Sequence, residues 1–222
     1  MRIVFISDTH NQHDEITSKN ESFRGDILIH AGDCTLSGKQ YEVEKFLDWF
    51  SETNFTYKIF IAGNHDFWFL KNYDIDQKYK DKGVFYLFDS MIEIENIKIY
   101  GSPWQPEFYN WAFNLPRGQK IREKWNLIPE KDVDILITHG PAYGFLDLTM
   151  RGEHVGCEDL FDKICDIQPR IHVFGHIHWS YGHVCFNEIE FINASVLTEE
   201  YKYQNKPIQV DFDLKTKNFH YV

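Results

Sequence analysis

Seven side chains of types that bind divalent metal ions each follow a short apolar run of the sequence. They are Asp8, His10, Asp33, Asn64, His139, His176 and His178, in the motifs Asp8-Thr9-His10, Gly32-Asp33, Gly63-Asn64-His65-Asp66, Thr138-His139-Gly140-Pro141 and Gly175-His176-Ile177-His178. Carboxylate oxygens suit hard ions such as Mn²⁺, Mg²⁺ and Fe²⁺, whereas imidazole nitrogens widen the choice to Zn²⁺ and Co²⁺. Two ions about 3.5–4 Å apart can share a carboxylate and a hydroxide and polarise a phosphoryl group. The residue types therefore indicate a two-metal hydrolase of phosphate esters.

The spacing within two of the motifs favours convergence on one site. In an extended loop, side chains two residues apart point in the same direction. Asp8 and His10 have this spacing, and so do His176 and His178. We therefore expect the two members of each pair to reach the same metal centre.

His65 and Asp66 directly follow Asn64. A carboxylate that accepts a ring N–H bond fixes the orientation of a catalytic histidine, so we predict that Asp66 orients the ring of His65. His30, just before the Asp33 loop, and His154, in a glycine-flanked segment, are the only other histidines that we retain as candidates for supporting the site.

The elements that must position these residues can be read from the apolar pattern. Strands are predicted before the motifs at 3–6, 27–29, 59–61, 135–137 and 171–174. Continuous apolar runs are typical of strands buried on both faces, and the helical spacing of apolar residues predicts helices at 40–51 and 156–166. Strands that alternate with helices predict a largely parallel sheet, whose ligands collect at the carboxyl ends of the strands.

The C-terminal part has a different pattern. Short strands predicted at 184–186, 189–192 and 208–214 are separated by turn-like segments, which suggests a second, mixed or antiparallel sheet. Residues 71–82 are rich in Lys and Asp and are interpreted as a surface loop or short helix. We find no repeat or interdomain linker, and predict a single domain over residues 1–222.

Charge and composition narrow the classes of partner. The net charge of −11 disfavours long nucleic acids. Small phosphate esters remain possible, since two divalent ions add about +4 locally. No apolar stretch is long enough for a signal peptide or membrane span, so we expect a cytoplasmic protein without membrane association. The four cysteines form no C-x-x-C pair and are expected to be reduced and mostly buried.

The five motifs, in this order, resemble those of the calcineurin-like metallophosphoesterase superfamily. The resemblance implies a four-layer α/β/β/α sandwich of two mixed sheets flanked by helices. It assigns Asp8, His10, Asp33 and His178 to one metal and Asp33, Asn64, His139 and His176 to the other, with Asp33 bridging. It also implies attack on phosphorus by a metal-bridging hydroxide. His65 would bind the scissile phosphate and protonate the leaving oxygen. Asp66, predicted above to orient His65, is the second candidate catalytic residue.

Further segments narrow the resemblance to one branch. Leu36 occupies the position where purple acid phosphatases have a metal-binding Tyr, and the Asp-Arg-Gly continuation of Ser/Thr protein phosphatases is missing. The segments 101–118, 170–178 and 193–195 resemble the metallophosphoesterase-domain-containing proteins of animal brain and their microbial relatives. That branch implies a phosphodiesterase of cyclic nucleotides and aryl phosphodiesters that favours Mn²⁺, with Fe, Zn, Co or Mg as alternatives. Asp66 departs from the pattern, in which Glu is common.

Several residues are candidates for binding a small phosphodiester substrate. Asn64 and His65 lie within the metal motifs, while Trp104, Phe108, Trp111 and Phe113 would form a stacking wall or simply pack in the core. Asn193 would contact substrate or cap a turn. The alternatives to a phosphodiesterase are a phosphomonoesterase or nuclease on the same fold and a non-catalytic nucleotide-binding protein. The sequence predicts no particular oligomeric state.

Overall fold

The structure, a computed structural model, describes all residues from 1 to 222. In chain order the strands are β1 (Arg2–Ile6), β2 (Gly25–His30), β3 (Phe55–Phe60), β4 (Val84–Tyr86), β5 (Ser90–Ile94), β6 (Ile97–Ser102), β7 (Gln105–Pro106), β8 (Asn114–Leu115), β9 (Ile135–Thr138), β10 (Ile171–Phe174), β11 (Gly182–Phe186), β12 (Ile189–Asn193), β13 (Ile208–Phe212) and β14 (Phe219–Tyr221). The α-helices are α1 (His13–Lys19), α2 (Gln40–Glu52), α3 (Gln77–Lys80), α4 (Gln119–Trp125) and α5 (Glu158–Ile167).

Twelve strands form two six-stranded sheets. The first has the order β14-β13-β1-β2-β3-β4 and the second the order β11-β12-β10-β9-β6-β5, while β7 pairs only with β8. Strands β1 to β4 are parallel, as are β12, β10, β9 and β6. The outer strands β13, β14, β5 and β11 pair in antiparallel fashion. Each sheet is therefore mixed, around four parallel strands.

Alternating side chains of the buried strands hold the layers together. On β1, Ile3 and Phe5 lie in the apolar core between the two sheets, whereas Val4 and Ile6 pack in the core that includes residues of α1 and α2. A third apolar cluster joins Leu136 of β9 to residues of α4 and α5. Because neighbouring residues of a strand point to opposite faces, each central strand serves two cores. The resulting order is helix, sheet, sheet, helix, which confirms the predicted sandwich.

The predicted helices form, with one shifted boundary. Helix α2 spans the predicted segment and buries Val43, Phe46, Leu47 and Phe50. Helix α5 begins two residues later than predicted, at Glu158, because the preceding residue is extended. No helix in the chain combines the length and apolar character needed to cross a bilayer.

The C-terminal strands do not all join one sheet, and that prediction is wrong in part. Strands β11 and β12 belong to the second sheet, but β13 pairs with β1 in the first. The alternation of apolar residues predicts a strand without naming its partner, and β13 lies about two hundred residues from β1 along the chain. The two ends of the described chain thus meet in the first sheet.

The cysteines also depart from expectation. All four are free thiols, as predicted, and Cys34 and Cys157 are buried, but Cys165 and Cys185 are exposed. Cys165 lies near the end of α5 and Cys185 on the edge strand β11. A cysteine at such a position can remain in solvent without leaving a cavity in the core.

Candidate metal centre

The seven predicted ligands meet where the carboxyl ends of parallel strands from both sheets come together. Asp8, Asp33 and Asn64 follow β1, β2 and β3, while His139 and His176 follow β9 and β10. An isolated parallel bridge between Ser7 and Ser195 joins the chain beyond β12 to the end of β1 at the same place. The site therefore requires the two sheets to be packed face to face.

One group of ligand atoms surrounds Asp8. The Nε2 atom of His178 lies 3.4 Å from the Asp8 carboxylate, and that of His10 lies 4.0 Å from it. One potential ligand atom from each of these three residues falls within 4.8 Å of the others. Such a group matches one half of the ligand set implied by the resemblance.

Asp33 joins this group to a second one. Its Oδ2 atom lies 3.7 Å from His10 Nε2 and 3.3 Å from His139 Nε2. His139 Nε2 lies in turn 3.0 Å from the Asn64 side-chain oxygen, and its ring centroid lies 5.1 Å from that of His176. Asp33 is thus the carboxylate that faces both groups, as expected for a bridging ligand.

The backbone at the ligands is held in unusual conformations. Asp8, His10, Asp33 and His176 have φ values of 56°, 40°, 57° and 69°, in the left-handed region that non-glycine residues rarely adopt. Such strain persists only where the surrounding structure imposes it, and it concentrates at functional sites. Four ligands adopt this unfavourable backbone conformation, which directs their side chains toward the centre of the site.

Two glycines allow the ligand loops to approach one another. A Cβ atom at Gly175 would lie 2.0 Å from Asp8 Oδ2, and one at Gly63 would lie 2.3 Å from Asp33 Oδ1. Neither gap admits a side chain, so the requirement for glycine comes from space. Steric exclusion of a side chain therefore explains why these two motif positions are glycine.

Hydrogen bonds turn the histidine rings toward the centre. The Nδ1 atom of His10 lies 3.1 Å from Thr35 O, that of His139 lies 2.9 Å from Ala31 O, and that of His178 lies 2.9 Å from Thr198 O. A carbonyl oxygen only accepts, so each Nδ1 carries a hydrogen and each Nε2 presents a lone pair in the neutral ring. The Nε2 atom of His10 is buried and has no hydrogen-bond partner. An orphaned buried acceptor that faces carboxylates fits a bound cation.

The charges at the site also fit bound cations. Asp8 accepts bonds from Ser195 Oγ at 2.7 Å and from His176 N at 3.0 Å, and Asp33 accepts one from His65 N at 2.8 Å. Both carboxylates are buried, and none of their hydrogen-bond donors is Lys or Arg. Buried charges are normally paired or bound to metals. The donor set and its missing positive charge therefore fit two divalent cations.

In the metal-free protein, protons on two histidines supply part of that charge. Burial opposes ionisation of Asp8, but the hydrogen bond and charge of His178 hold its pKa well below the usual range. Burial likewise opposes ionisation of Asp33, and the charge of His139 outweighs it and lowers the pKa. The same pairings overcome burial of the rings and raise the pKa values of His139 and His178 to about 9. Cations must displace these protons.

His10 and His176 behave in the opposite way. Burial lowers the pKa of His10 to about 4 and that of His176 to about 3. Both imidazoles are therefore neutral near pH 7, the protonation state that binds a metal.

His65 lies beside the ligands with its ring fixed on three sides. Its Nδ1 donates to Leu36 O at 2.7 Å, its ring meets the edge of His10 at 4.6 Å, and Trp111 stacks on it at 4.2 Å. The free Nε2 is the only ring nitrogen left to act on a ligand. His65 lines a cavity of about 170 Å³ with five of the predicted ligands.

Asp66 does not orient His65, and that prediction is wrong. The buried Asp66 carboxylate accepts bonds from Gly63 N at 2.8 Å, Thr35 N at 2.9 Å, Thr35 Oγ1 at 2.6 Å and Cys34 N at 3.2 Å. These bonds tie the Asp33 loop to the Asn64 loop. The carbonyl of Leu36 replaces Asp66 as the partner of the His65 ring because the Asp66 side chain is turned beneath the loops.

Trp104 and Asn193, predicted as substrate contacts, do not line the metal cavity. The indole N–H of Trp104 donates to Asp89 at 2.9 Å, and its ring packs on Phe113 in the core. Asn193 is fully buried, and its amide donates to Ile177 O at 2.8 Å between two ligand histidines. Trp104 therefore packs, and Asn193 holds the ligand loop.

The other aromatic and histidine candidates divide in the same way. Phe108 and Trp111 line the cavity, as the stacking wall requires, whereas Phe113 is buried in the first core. His30 is buried with its Nε2 atom 3.0 Å from Thr9 Oγ1, so it supports the first motif. His154 instead pairs with Asp147 at 2.6 Å and contacts no ligand.

Sequence reasoning missed the turn at residues 198–202. The Tyr201 ring lies 4.8 Å from that of His10, and both Tyr201 and Glu199 line the cavity. The carbonyl of Thr198 holds the His178 ring. Nothing in this polar turn resembles a metal motif, and long-range contacts such as the bridge between Ser7 and Ser195 bring it to the site.

Two further cavities have different relations to the site. A groove of about 580 Å³ adjoins the metal cavity and shares Phe108, His176 and Glu199 with it. A larger cavity of about 850 Å³ lies at the amino ends of β1 and β2 and contains none of the predicted ligands. The chemistry is thus confined to the carboxyl ends of the strands.

Comparisons with known proteins agree with this geometry. The family model of calcineurin-like phosphoesterases matches residues 1–180. The human and mouse proteins named metallophosphoesterase domain-containing protein 1 are each 44% identical to the chain over 234 residues, covering 95% of it and 70% of their own length. A solved structure described as a novel archaeal phosphodiesterase shares the fold at 17% identity, with a TM-score of 0.50 over 100% of this chain and 99% of its own. The chain has the ligand loops and the four-layer sandwich described above. It belongs to the calcineurin-like phosphoesterases, a family of metal-dependent phosphoric ester hydrolases.

Proposed function

We propose that the protein is a binuclear metal-dependent phosphodiesterase of small substrates such as cyclic nucleotides or aryl phosphodiesters. The observation that supports this proposal is a small cavity with aromatic walls that is lined by His65 and five of the predicted ligands, with Asp8 and His139 directly behind them. No Lys or Arg lines that cavity. A phosphodiester carries one negative charge and a phosphomonoester up to two, so a cavity without side-chain cations favours the diester.

The two cations would be held by oxygen and nitrogen donors together. Asp8, His10 and His178 would hold one, Asn64, His139 and His176 the other, and Asp33 would contact both. This mixed donor set supports Mn²⁺ as the proposed ion, with Fe, Zn, Co and Mg as the alternatives. When bound, the ions supply Lewis acidity toward the phosphoryl group and lower the pKa of coordinated water, which is the source of the proposed bridging hydroxide.

The chain itself would place the leaving group and move one proton. Water oxygen bonds to phosphorus as the bond from phosphorus to the leaving oxygen breaks, and that oxygen keeps the electron pair. His65 donates a proton to it from Nε2, since Nδ1 is committed to Leu36 O. Trp111, stacked on the ring, holds it in this orientation. The products are a phosphomonoester and an alcohol or phenol, and for a cyclic nucleotide both groups belong to one nucleoside monophosphate.

A substrate panel tests the proposal. Bis-p-nitrophenyl phosphate, p-nitrophenyl phosphate, 2′,3′- and 3′,5′-cyclic nucleotides and single-stranded DNA would be compared with each divalent metal supplied separately. We expect the small diesters to have the highest kcat/KM and Mn²⁺ to support the fastest turnover. An Asp33→Asn variant, which removes the shared carboxylate charge, is the metal-binding control.

Three outcomes would contradict the proposal in distinct ways. Preference for the monoester would indicate a phosphomonoesterase, and preference for DNA would indicate a nuclease despite the net charge of −11. A metal-loaded protein that is inert toward every ester but still binds nucleotides would indicate a binding protein.

A further inference from the structure

The groove beside the metal cavity is placed to receive one ester substituent of a bound phosphodiester. The two spaces share Phe108, His176 and Glu199, so a molecule whose phosphate lies at the metals would have the groove directly beside it. The groove is more than three times larger than the metal cavity, at about 580 Å³ against about 170 Å³. Its chemistry therefore bears on which substituents the enzyme accepts.

Glu199 is the one charged side chain, apart from the metal ligands and His65, that lines the metal cavity. It belongs to the turn at residues 198–202, and its Oε1 atom accepts a bond from Trp179 N at 3.1 Å. No side-chain donor shares it, and no Lys or Arg forms an ion pair with it. The carboxylate thus presents an uncompensated negative charge at the junction of cavity and groove.

The groove lining is aromatic or apolar in part, and with Glu199 included it contains three carboxylates against two arginines. Phe108 and the largely exposed Tyr109 line one side and Met150 another. Glu107 and Glu153 add negative charge. Aromatic faces together with carboxylates attract cations, and quaternary ammonium groups above all.

The two arginines of the groove do not cancel its negative charge. Arg117 is already bonded to Glu158 and to the carbonyls of Val155 and Gly156. Arg151 is exposed, and it is the only cation of the lining without such partners.

We propose that Glu199 determines specificity by charge: it favours phosphodiesters whose substituent in the groove is neutral or cationic and disfavours any further negative charge, including that of a phosphomonoester. This inference rests on the proposed phosphodiesterase function. It adds a residue and a substituent class that neither the metal motifs nor the family identify.

The kinetic test uses three esters with the same leaving group. p-Nitrophenyl phosphorylcholine has a cationic substituent, bis-p-nitrophenyl phosphate a neutral one, and p-nitrophenyl phosphate none and an extra negative charge. Glu199→Gln keeps the acceptor for Trp179 and removes only the charge. We expect kcat/KM to fall about tenfold for the choline ester, mainly through KM, and to rise about tenfold for the monoester, as a single charge at a solvent-exposed rim allows. The neutral diester should change less than about twofold, and all differences should shrink in about 1 M salt.

Glu200→Gln is the matched control. Glu200 is the next residue, carries the same charge and does not line the metal cavity or the groove. We expect it to leave the three rates unchanged. An equal change for all three esters in Glu199→Gln, or the same pattern in Glu200→Gln, would overturn the inference.

A binding measurement separates this inference from the proposed function. Phosphorylcholine and ethyl phosphate have the same phosphate and differ in the cationic group. Calorimetry on the Mn²⁺-loaded protein should show the ratio of their Kd values move about tenfold against phosphorylcholine in Glu199→Gln and remain constant in Glu200→Gln. An unmoved ratio refutes the role of Glu199 even if diesters are hydrolysed, whereas a moved ratio supports it even if turnover on the panel fails.

Discussion

Metal loading should release about two protons from the histidines of each chain at pH 7, in addition to any proton lost by coordinated water. The pKa values of His139 and His178 are raised to about 9 in the metal-free protein because each ring pairs with a buried carboxylate. A group with that pKa is about 99% protonated at pH 7 and half protonated at pH 9. A metal ligand must be neutral, so both protons leave when the cations bind.

The number of protons released by these two rings therefore depends on pH in a defined way. It should be about two at pH 7, about one at pH 9 and close to zero above about pH 10.5. Below about pH 8, the product of the two metal association constants should change about 100-fold per pH unit, falling as the solution becomes more acidic. His10 and His176 add nothing, since burial lowers their pKa values to about 4 and about 3.

Calorimetric titration with Mn²⁺ in buffers of different ionisation enthalpy measures this quantity. The slope of the apparent enthalpy against buffer enthalpy gives the number of protons released. A His139→Gln variant should release about one proton fewer, which makes it the matched control. Release of less than about one proton at pH 7, or an affinity independent of pH, would refute the pairing of these rings with Asp8 and Asp33.

Three further predictions follow from the same geometry. Substitution His65→Ala should lower kcat by about 10²–10⁴ with metal content unchanged, and an unaltered rate on a diester with a poor leaving group would remove His65 from the acid role. Gly175→Ala, whose Cβ would lie 2.0 Å from Asp8, should lose metal and destabilise the fold by about 1–3 kcal/mol. Gly152→Ala, which meets nothing within 4 Å, should retain metal by elemental analysis. In EDTA, the raised pKa values of His139 and His178 mean that their stabilisation is complete below about pH 6.5 and is lost as pH rises through about 9. The Tm of the metal-free protein should then fall by at least about 3 °C between these values, and a constant Tm would argue against the two ion pairs.

Much of the site could be predicted because its signals are local. Each ligand follows an apolar run by a few residues, and a run such as Ile3 to Ile6 predicts a buried strand wherever it later packs. Parallel strands bring their carboxyl ends to one edge, so the ligands collect there without any knowledge of the strand order. The glycines at 63 and 175 fit the same reasoning, since close approach of loops excludes a Cβ atom.

The wrong predictions concerned side chains that could form hydrogen bonds with more than one partner. Asp66 has a carboxylate next to His65 in sequence, yet it bonds Gly63 and the Thr35 loop. Trp104 has a residue type suited to stacking, yet its N–H finds Asp89. The residue type and its neighbours in the sequence limit which groups a side chain can bond. Distances in the folded chain decide which of those groups it contacts.

The sequence by itself determined the strands that precede the ligands, the ligand types and the metal chemistry, because each depends on a few neighbouring residues, whereas β4 to β8 and β14 were not predicted. Only the tertiary structure decided that β13 completes the first sheet, that Leu36 O holds His65, and that Glu199 and Tyr201 border the metals. These features join residues far apart in the chain, and their contacts exist only after the two sheets have packed. The candidate metal ligands are encoded locally, whereas the residues proposed to select a substrate come together only on folding.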